Sequence, residues 1–255
     1  MKTVMIGSMK GGTAKTTSAL ALSALWVSVH GKRVALWDGD PQGTLTRQLR
    51  HAVVREPWAA DPVPVEVPQM AERALLFRGG RTLGLTSAPH VQRFFHRPDW
   101  EDRLGADIAV IDTPNGGLLH ILAAADVADL LVVPVDTTPL GLEGLIETMD
   151  LLKAIDPPLP TRVLLTRVVR RRNITDEIVG YLDEHHPGMR LDAWIPEDAA
   201  VPESHKARRP VTLGPRGRAS EAYAHVAPHL LGVLGGLRRV SHVVNDAALA
   251  AGGVR

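Results

Sequence analysis

The sequence predicts an α/β protein with a mostly parallel, twisted sheet and helices on both faces, and three observations indicate this fold. Apolar runs of strand length alternate along the chain with patterns typical of helices. Several of these runs end in an aspartate, at the end of a strand where a parallel sheet binds its ligands. The 255 residues, 45% of them apolar, suffice for one domain with a large core.

The first predicted strand and the first predicted helix enclose a glycine-rich segment. Residues 3–7 form an apolar run typical of a buried strand, and residues 18–30 carry apolar side chains on one helical face up to Gly31. Between them lies the segment Lys10-Gly11-Gly12-Thr13-Ala14-Lys15-Thr16-Thr17. A strand, a glycine turn and a helix in this order predict a phosphate-binding loop, and residues 10–17 are called the phosphate loop below.

The side chains of this loop suit a nucleoside triphosphate. Gly11 and Gly12 carry no side chain, so backbone N–H groups can surround phosphate oxygens. The N-terminus of the following helix adds partial positive charge. Lys15 would neutralise the β- and γ-phosphates, and the Thr16 hydroxyl would bind Mg²⁺.

The loop departs from the usual phosphate-loop pattern at two positions. That pattern has glycine where this chain has Met9 and Ala14. With alanine at position 14, we expect a backbone that does not need a positive φ there. The distinguishing feature that remains is a lysine on each side of the glycine pair, Lys10 and Lys15.

Two further predicted strands are each followed directly by an aspartate. Residues 33–37 form an apolar run followed by Asp38-Gly39-Asp40-Pro41-Gln42-Gly43, and residues 107–111 form another, followed by Asp112-Thr113-Pro114. The carboxyl ends of parallel strands lie at one edge of a sheet, where ligands bind. Carboxylates there can hold Mg²⁺ through water or orient a nucleophile. The sequence therefore predicts one site that combines the phosphate loop with these carboxylates.

The remaining elements are predicted from periodicity and from helix-breaking residues. We predict strands at residues 82–86, 130–135, 162–166 and 191–195. We predict helices at residues 44–51, 71–77, 98–104, 118–125, 142–155, 174–184 and 219–237. Thr44 and Thr175 are expected to be N-caps, and Pro228 to kink its helix. The proline-rich segment 56–69 is expected to be irregular, and residues 239–255 to be a flexible tail.

Composition limits the classes of function. The 29 basic and 28 acidic residues give a net charge of +1, so any affinity for nucleic acid must come from local clustering. The chain has no cysteine, which excludes disulfides, cysteine-ligated zinc and iron–sulfur clusters. The sequence has no apolar run of membrane-spanning length and no signal-peptide pattern, so we expect a cytoplasmic protein.

Two clusters of basic residues are candidates for contact with DNA. The first is Arg170, Arg171 and Arg172, after the strand predicted at residues 162–166. The second, called the C-terminal basic group below, consists of Lys206, Arg208, Arg209, Arg216 and Arg218. A run of like charges is ordinarily a solvated surface turn. The alternative is contact with the phosphate backbone of DNA, and the residues alone leave both interpretations open.

These motifs, in this order, resemble those of the ParA/MinD superfamily of P-loop ATPases, and the ParA/Soj-type partition ATPases in particular. The phosphate loop is similar to the deviant Walker A motif of that family, and residues 38–43 and 107–114 are similar to its two acidic motifs. The segment from Ile195-Pro196 to Val211 is similar to a C-terminal stretch of ParA proteins. The resemblance extends over residues 1–237 and implies a single P-loop NTPase domain, which we place at residues 1–238.

The resemblance also implies roles for individual residues. Lys10, Lys15 and Asp40 would be catalytic, with Lys10 reaching the nucleotide of a partner subunit and Asp40 positioning the attacking water. Mg²⁺ would be held by Thr16, Asp38 and Asp112. ATP would contact Lys10, Gly11, Gly12, Thr13, Ala14, Lys15, Thr16, Thr17 and, near the adenine ring, Pro196. The family binds DNA through basic residues of its C-terminal half, which favours the C-terminal basic group.

The implied function is ATP-dependent partition of chromosomal or plasmid DNA. ATP and Mg²⁺ would close a homodimer that binds double-stranded DNA without sequence specificity, and a ParB-type partner would stimulate slow hydrolysis. The protein would be associated with the nucleoid and not with a membrane. Two alternatives remain: a related ATPase that positions a protein cargo on the nucleoid, and a P-loop biosynthetic ligase similar to dethiobiotin synthetase. The segment from Ile195 to Val211 argues against the ligase.

Overall fold

The computed structural model describes residues 1–53, 63–80, 100–115, 122, 125–169, 173–238 and 243–244. The strands are β1 (Lys2–Ile6), β2 (Val34–Asp38), β3 (Val65–Glu66), β4 (Ala74–Phe77), β5 (Ile108–Asp112), β6 (Leu130–Asp136), β7 (Ile155–Asp156), β8 (Thr161–Thr166) and β9 (Val243–Val244). The α-helices are α1 (Lys15–Ser28), α2 (Thr44–Gln48), α3 (Trp100–Leu104), α4 (Pro139–Leu152), α5 (Asn173–His185), α6 (Ala200–Lys206) and α7 (Arg218–Gly236). Short 3-10 helices lie at Pro68–Met70 and Val211–Leu213.

One sheet unites the strands that carry the predicted motifs. Of the described strands, seven form it in the order β3-β4-β2-β5-β1-β6-β8. Every neighbouring pair is parallel except β3 with β4 at one edge. The register pairs Asp112 with Ile6 on one side and with Asp38 on the other. The mostly parallel sheet is confirmed, and β1, β2 and β5 end at the same edge.

Helices cover both faces of this sheet, as predicted. Along β1, Val4 and Ile6 belong to a buried cluster that includes α1 and α7, whereas Met5 belongs to a second cluster that includes α3, α4 and α5. The indole N–H of Trp26 in α1 donates to the carbonyl of Ala227 in α7 at 3.0 Å. Strands that are buried on both faces in this way are expected to be almost continuously apolar, which explains their clear signal in the sequence.

The helix predicted at residues 71–77 is wrong. Ala74–Phe77 is strand β4, which pairs in parallel with β2. Alanine and leucine favour helices, but here the segment completes the hydrogen bonding of β2. The ring of Phe77 also stacks on Trp37, with centroids 4.9 Å apart. Tertiary packing therefore outweighs the local propensity.

The strand predicted at residues 191–195 is also wrong. The segment makes only isolated bridges to the β8 side of the sheet, from Val163 to Arg190 and from Val168 to Pro196. The segment keeps only scattered backbone hydrogen bonds, in which Leu191, Ile195 and Glu197 donate to the carbonyls of Val163, Leu165 and Val168. The residues between the bridges therefore run beside β8 without forming a continuous ladder.

Both predicted N-caps are wrong, because each threonine lies inside its helix. Gly43, with φ of 63°, precedes α2, so Thr44 is the first helical residue. Helix α5 begins at Asn173, so Thr175 lies in its first turn. Helix α7 continues through Pro228. The strand predicted at residues 82–86, most of the helix predicted at 118–125 and most of the tail at 239–255 lie outside the described residues.

Within the described ranges, no helix combines the length and the apolar character that crossing a lipid bilayer would require.

Candidate nucleotide-binding site

The phosphate loop lies at the carboxyl edge of the sheet, where the chain passes from β1 into the first turn of α1. Gly12 and Ala14 both have left-handed backbone, with φ of 78° and 70°. The carbonyl of Ala14 accepts the backbone N–H of Ser18 at 2.9 Å and so starts α1. The expectation that position 14 does not need a positive φ is therefore wrong. The tight entry into α1 imposes that backbone, and alanine adopts it at a cost of about 1–2 kcal/mol.

The amine of Lys15 lies in the concave side of the loop. Its Nζ donates to the carbonyl of Lys10 and to Asn115 Oδ1, both at 2.7 Å. Burial lowers the pKa of Lys15 to about 8, although the nearby charges of Asp112 and Asp40 act in the opposite direction. An ammonium group held in this way can make strong charge-assisted hydrogen bonds to phosphate oxygens.

Thr16 and Asp112 form a pair of oxygen donors beside this lysine. The Thr16 hydroxyl donates to Asp112 Oδ2 at 2.7 Å. Asp112 Oδ1 is buried and has no hydrogen-bond partner among the described residues. Burial raises the pKa of Asp112 well above its ordinary value, and the neighbouring Asp38 adds to the effect. A buried carboxylate oxygen without a partner, next to a hydroxyl, fits Mg²⁺, which prefers hard oxygen ligands.

Asp38 holds the turn after β2. Its carboxylate accepts the backbone N–H of Thr46 at 2.8 Å and also the Thr46 hydroxyl, and it accepts the backbone N–H of Asp40 at 3.2 Å. Burial raises the pKa of Asp38 to about 6, against the effect of the hydrogen bonds from Thr46. These contacts account for both carboxylate oxygens, so a role of Asp38 at Mg²⁺ stays a prediction.

Asp40 is fixed by the same turn but faces the open site. Its Oδ1 accepts the backbone N–H of Gln42 at 2.9 Å, and its Oδ2 accepts the Thr44 hydroxyl at 2.6 Å. The residue is half-buried and lines the cleft beside the phosphate loop. A carboxylate that is supported from behind in this way can orient a water molecule.

A cleft of about 550 Å³ extends from the phosphate loop to the C-terminal part of the chain. This volume lies in the range of small-molecule sites. Of the predicted nucleotide-binding residues, the cleft is lined by Gly12, Ala14, Lys15, Thr16, Thr17 and Pro196. Lys10, Gly11 and Thr13 belong to the loop but not to the lining of the cleft.

Two lining residues from distant parts of the chain contact α1, and sequence reasoning missed both. His205 Nε2 lies 3.0 Å from the hydroxyl oxygen of Thr17. The Tyr223 hydroxyl lies 2.9 Å from Ser18 Oγ, and burial raises the pKa of Tyr223 to about 12. The partners are separated by 188 and 205 positions, so no local pattern signals these contacts.

Lys10 points away from the cleft, toward the end of β6. Its Nζ donates to Asp136 Oδ1 at 2.8 Å and to Thr138 Oγ1 at 3.1 Å. Sequence reasoning missed Asp136, although it ends an apolar strand in the same way as Asp112. Lys10 therefore has a partner within its own chain, and its contact with a second subunit stays a prediction.

The basic residues predicted to contact DNA differ in whether their side chains already have partners within the chain. Arg170, Arg171 and Arg172 lie outside the described residues. In the C-terminal basic group, Arg209 has a buried Nε, and Arg218 donates to the carbonyl of Glu197 at 3.1 Å. The remaining members are exposed and have no ion-pair partner among the described residues: Lys206, Arg208 and Arg216.

The chain is similar in sequence and in fold to known nucleotide-binding proteins. The chain is 25% identical over 249 residues to the chromosome-partitioning ATPase Soj of Thermus thermophilus, covering 91% of this chain and 96% of that protein. Apo McdA of Cyanothece is 21% identical with a TM-score of 0.75, covering 91% of this chain and all of that chain (100%). Cobyrinic acid a,c-diamide synthase of Mycobacterium smegmatis, solved with ADP and magnesium, is 21% identical with a TM-score of 0.70, covering 92% and 96%.

A sequence profile of the CobQ/CobB/MinD/ParA nucleotide binding domain matches residues 4–211. The match includes the phosphate loop, both aspartate-bearing strand ends and Pro196. The solved structures share the parallel sheet and its helices. Since the profile spans most of the chain, the protein belongs to the CobQ/CobB/MinD/ParA family of nucleotide-binding domains.

Proposed function

We propose that the protein is a ParA/Soj-type ATPase that uses ATP to partition chromosomal or plasmid DNA. The observation that carries this proposal is the phosphate loop, which brings Lys15 and Thr16 next to Asp112 and keeps a second lysine, Lys10, on the same turn. The family accounts for nucleotide binding. The second lysine favours the branch whose members associate face to face around ATP.

Four side chains of the site would take part in ATP hydrolysis. Lys15 would bind the terminal phosphates, because its amine already makes two short hydrogen bonds at the centre of the loop. Thr16 and Asp112 would hold Mg²⁺, which would neutralise charge on the phosphates. Asp40 would orient the attacking water, since Gln42 and Thr44 fix its carboxylate.

The C-terminal basic group supports binding to DNA. Its exposed member Lys206 ends α6, the helix whose His205 contacts Thr17 at the end of the phosphate loop. A dimer would carry two such groups, and phosphate contacts add within one particle. ATP-dependent association would therefore raise affinity for DNA of any sequence.

The experiment combines light scattering with DNA binding in ATP, in ADP and without nucleotide. We expect ATP and Mg²⁺ to double the particle mass and to raise the affinity for a duplex of arbitrary sequence, with ADP leaving both unchanged. A protein that stays monomeric in ATP, or that binds DNA equally well in every condition, would contradict the proposal. Addition of a ParB-type protein encoded beside it should then increase ADP release.

The likeness to cobyrinic acid a,c-diamide synthase makes a biosynthetic ligase the second candidate. Such an enzyme would release ADP faster when a small carboxylate substrate is added and would not respond to DNA. A protein-positioning ATPase would respond to DNA but to a cargo adaptor in place of a centromere-binding protein. Capture of the partner on immobilised ATP-bound protein, followed by its identification, separates the cargo alternatives.

A further inference from the structure

We propose that Asp136 holds Lys10 within its own subunit and thereby sets how tightly two ATP-bound subunits associate. Asp136 is a positioning residue in this proposal, because it acts on Lys10 and not on the nucleotide. The inference rests on the proposed function, in which Lys10 must reach a second subunit.

The side chains of Lys10, Asp136 and Thr138 form hydrogen bonds to one another. Its Nζ donates to Asp136 Oδ1 at 2.8 Å and to Thr138 Oγ1 at 3.1 Å. The Thr138 hydroxyl in turn donates to Asp136 Oδ2 at 3.0 Å and accepts the backbone N–H of Gly141 at 3.0 Å. The lysine is therefore bound to the junction of β6 and α4, two rigid elements.

Packing keeps the lysine stem against α4. A Cβ at position 144 would lie 2.6 Å from Lys10 Cβ, so glycine there permits the close approach. The preceding backbone N–H, of Met9, donates to Thr148 Oγ1 at 3.1 Å. The side chains of Lys10 and Asp136 are 21% and 5% exposed, so water screens their attraction only in part.

Release of Lys10 has a cost that association must overcome. When the amine leaves, the Asp136 carboxylate remains almost buried, with Thr138 as its hydroxyl donor. A buried charge that loses its partner is strongly unfavourable. The phosphates of a facing ATP offer more negative charge than one carboxylate, so they can compete for the amine. Asp136 therefore opposes association until a triphosphate faces Lys10.

The size of the effect follows from the number of ion pairs broken. A hydrogen bond between charged groups changes an equilibrium by about tenfold or more. A symmetric dimer breaks two Lys10–Asp136 pairs, one in each subunit. Removal of the charge of Asp136 should therefore tighten the dimer by about a hundredfold.

The first test compares Asp136→Asn with Asp129→Asn, using a non-hydrolysable ATP analogue and Mg²⁺. Asp129 is a matched control, because it is a buried aspartate at the opposite end of β6 and also pairs with a lysine, Lys2, at 3.2 Å. We expect D136N to lower the dimer dissociation constant by about a hundredfold at unchanged affinity of the monomer for the analogue. D129N should match the wild type. An unchanged or raised dissociation constant for D136N overturns the proposal.

The second test follows the Lys10 amine in the nucleotide-free monomer, by mass spectrometry after brief treatment with an acylating reagent. We expect Lys10 to be labelled faster in D136N than in the wild type, and D129N to match the wild type. Unchanged labelling in D136N would show that Asp136 does not hold the Lys10 amine. If the wild type fails to dimerise with the analogue, the proposed function fails and the role in association falls with it. Faster labelling of D136N in that case would leave the ion pair standing, so the two failures are distinguishable.

Discussion

The imidazole Nε2 of His205 lies 3.0 Å from the hydroxyl oxygen of Thr17. Thr17 follows the Mg²⁺-binding candidate Thr16 on α1, and His205 precedes Lys206, the first member of the C-terminal basic group. One side-chain contact therefore joins the phosphate loop to the candidate DNA-binding segment. A movement of Thr17 would therefore change the position of His205, and a movement of His205 would change that of Thr17.

His205 should make the stability of the protein sensitive to acid. Burial lowers the pKa of His205 below its ordinary value of 6.5, so the unfolded chain takes up the proton more readily than the folded protein. The stability that the neutral ring contributes is present above about pH 6.5 and is lost as pH falls through the folded-state pKa. Thermal unfolding without nucleotide should show a smaller acid-induced loss of stability in His205→Asn than in the wild type.

The control for this measurement is His229→Asn, which replaces an exposed histidine of α7. It should keep the pH dependence of the wild type. Equal acid sensitivity of wild type and His205→Asn would show that the contact with Thr17 does not depend on the charge of the ring.

Lys15→Ala should strongly weaken ATP binding while leaving the fold intact. The variant loses an ammonium group that would make charge-assisted hydrogen bonds to phosphate, so affinity should fall by about 10- to 100-fold or more. Titration calorimetry with a non-hydrolysable analogue provides the measurement. Lys153→Ala is the control, because Lys153 is exposed and pairs only with Asp150 among the described residues. If Lys15→Ala binds the ATP analogue with normal affinity, residues 10–17 do not bind phosphate as predicted.

Asp40→Ala should bind ATP but hydrolyse it slowly, and so accumulate an ATP-bound dimer. Loss of a residue that orients the attacking water should slow turnover by about 10²- to 10⁴-fold. Since Asp40 also accepts the Thr44 hydroxyl, Thr44→Val serves as the control that loosens the turn and keeps the carboxylate. Light scattering that finds Asp40→Ala monomeric in ATP would count against the role given to Asp40.

Replacement of Lys206 and Arg208 by glutamine should weaken DNA binding and flatten its salt dependence. Each lost phosphate contact lowers the slope of log affinity against log salt by about 0.9, so the double variant should lose about 2 for each subunit that contacts the DNA. Arg33→Gln is the control, because Arg33 is exposed and precedes β2 at the opposite edge of the sheet. An unchanged slope in the double variant would point to another surface, with Arg170, Arg171 and Arg172 as the next candidates.

Much of the fold could be predicted from the sequence, because its central strands are buried on both faces. Strands β1, β2, β5, β6 and β8 all lie where the apolar runs indicate. The errors fall at the margins of the sheet. The residues of β4 favour a helix by local propensity, but they form a strand because they pair with β2. The segment at residues 191–195 has an apolar composition but lies beside β8 with isolated bridges.

The sequence by itself determined the parts of the site that are contiguous in the chain: the phosphate loop and the aspartates that end β2 and β5. Each of these groups lies directly after an apolar strand in the chain, and the carboxyl ends of parallel strands share one edge of a sheet, so the strand pattern suffices to find them. The tertiary structure alone decided the contacts of Lys10 with Asp136 and of Thr17 with His205, which span 126 and 188 positions. These features depend on which surfaces the packing of the sheet brings together, and no local pattern carries that information.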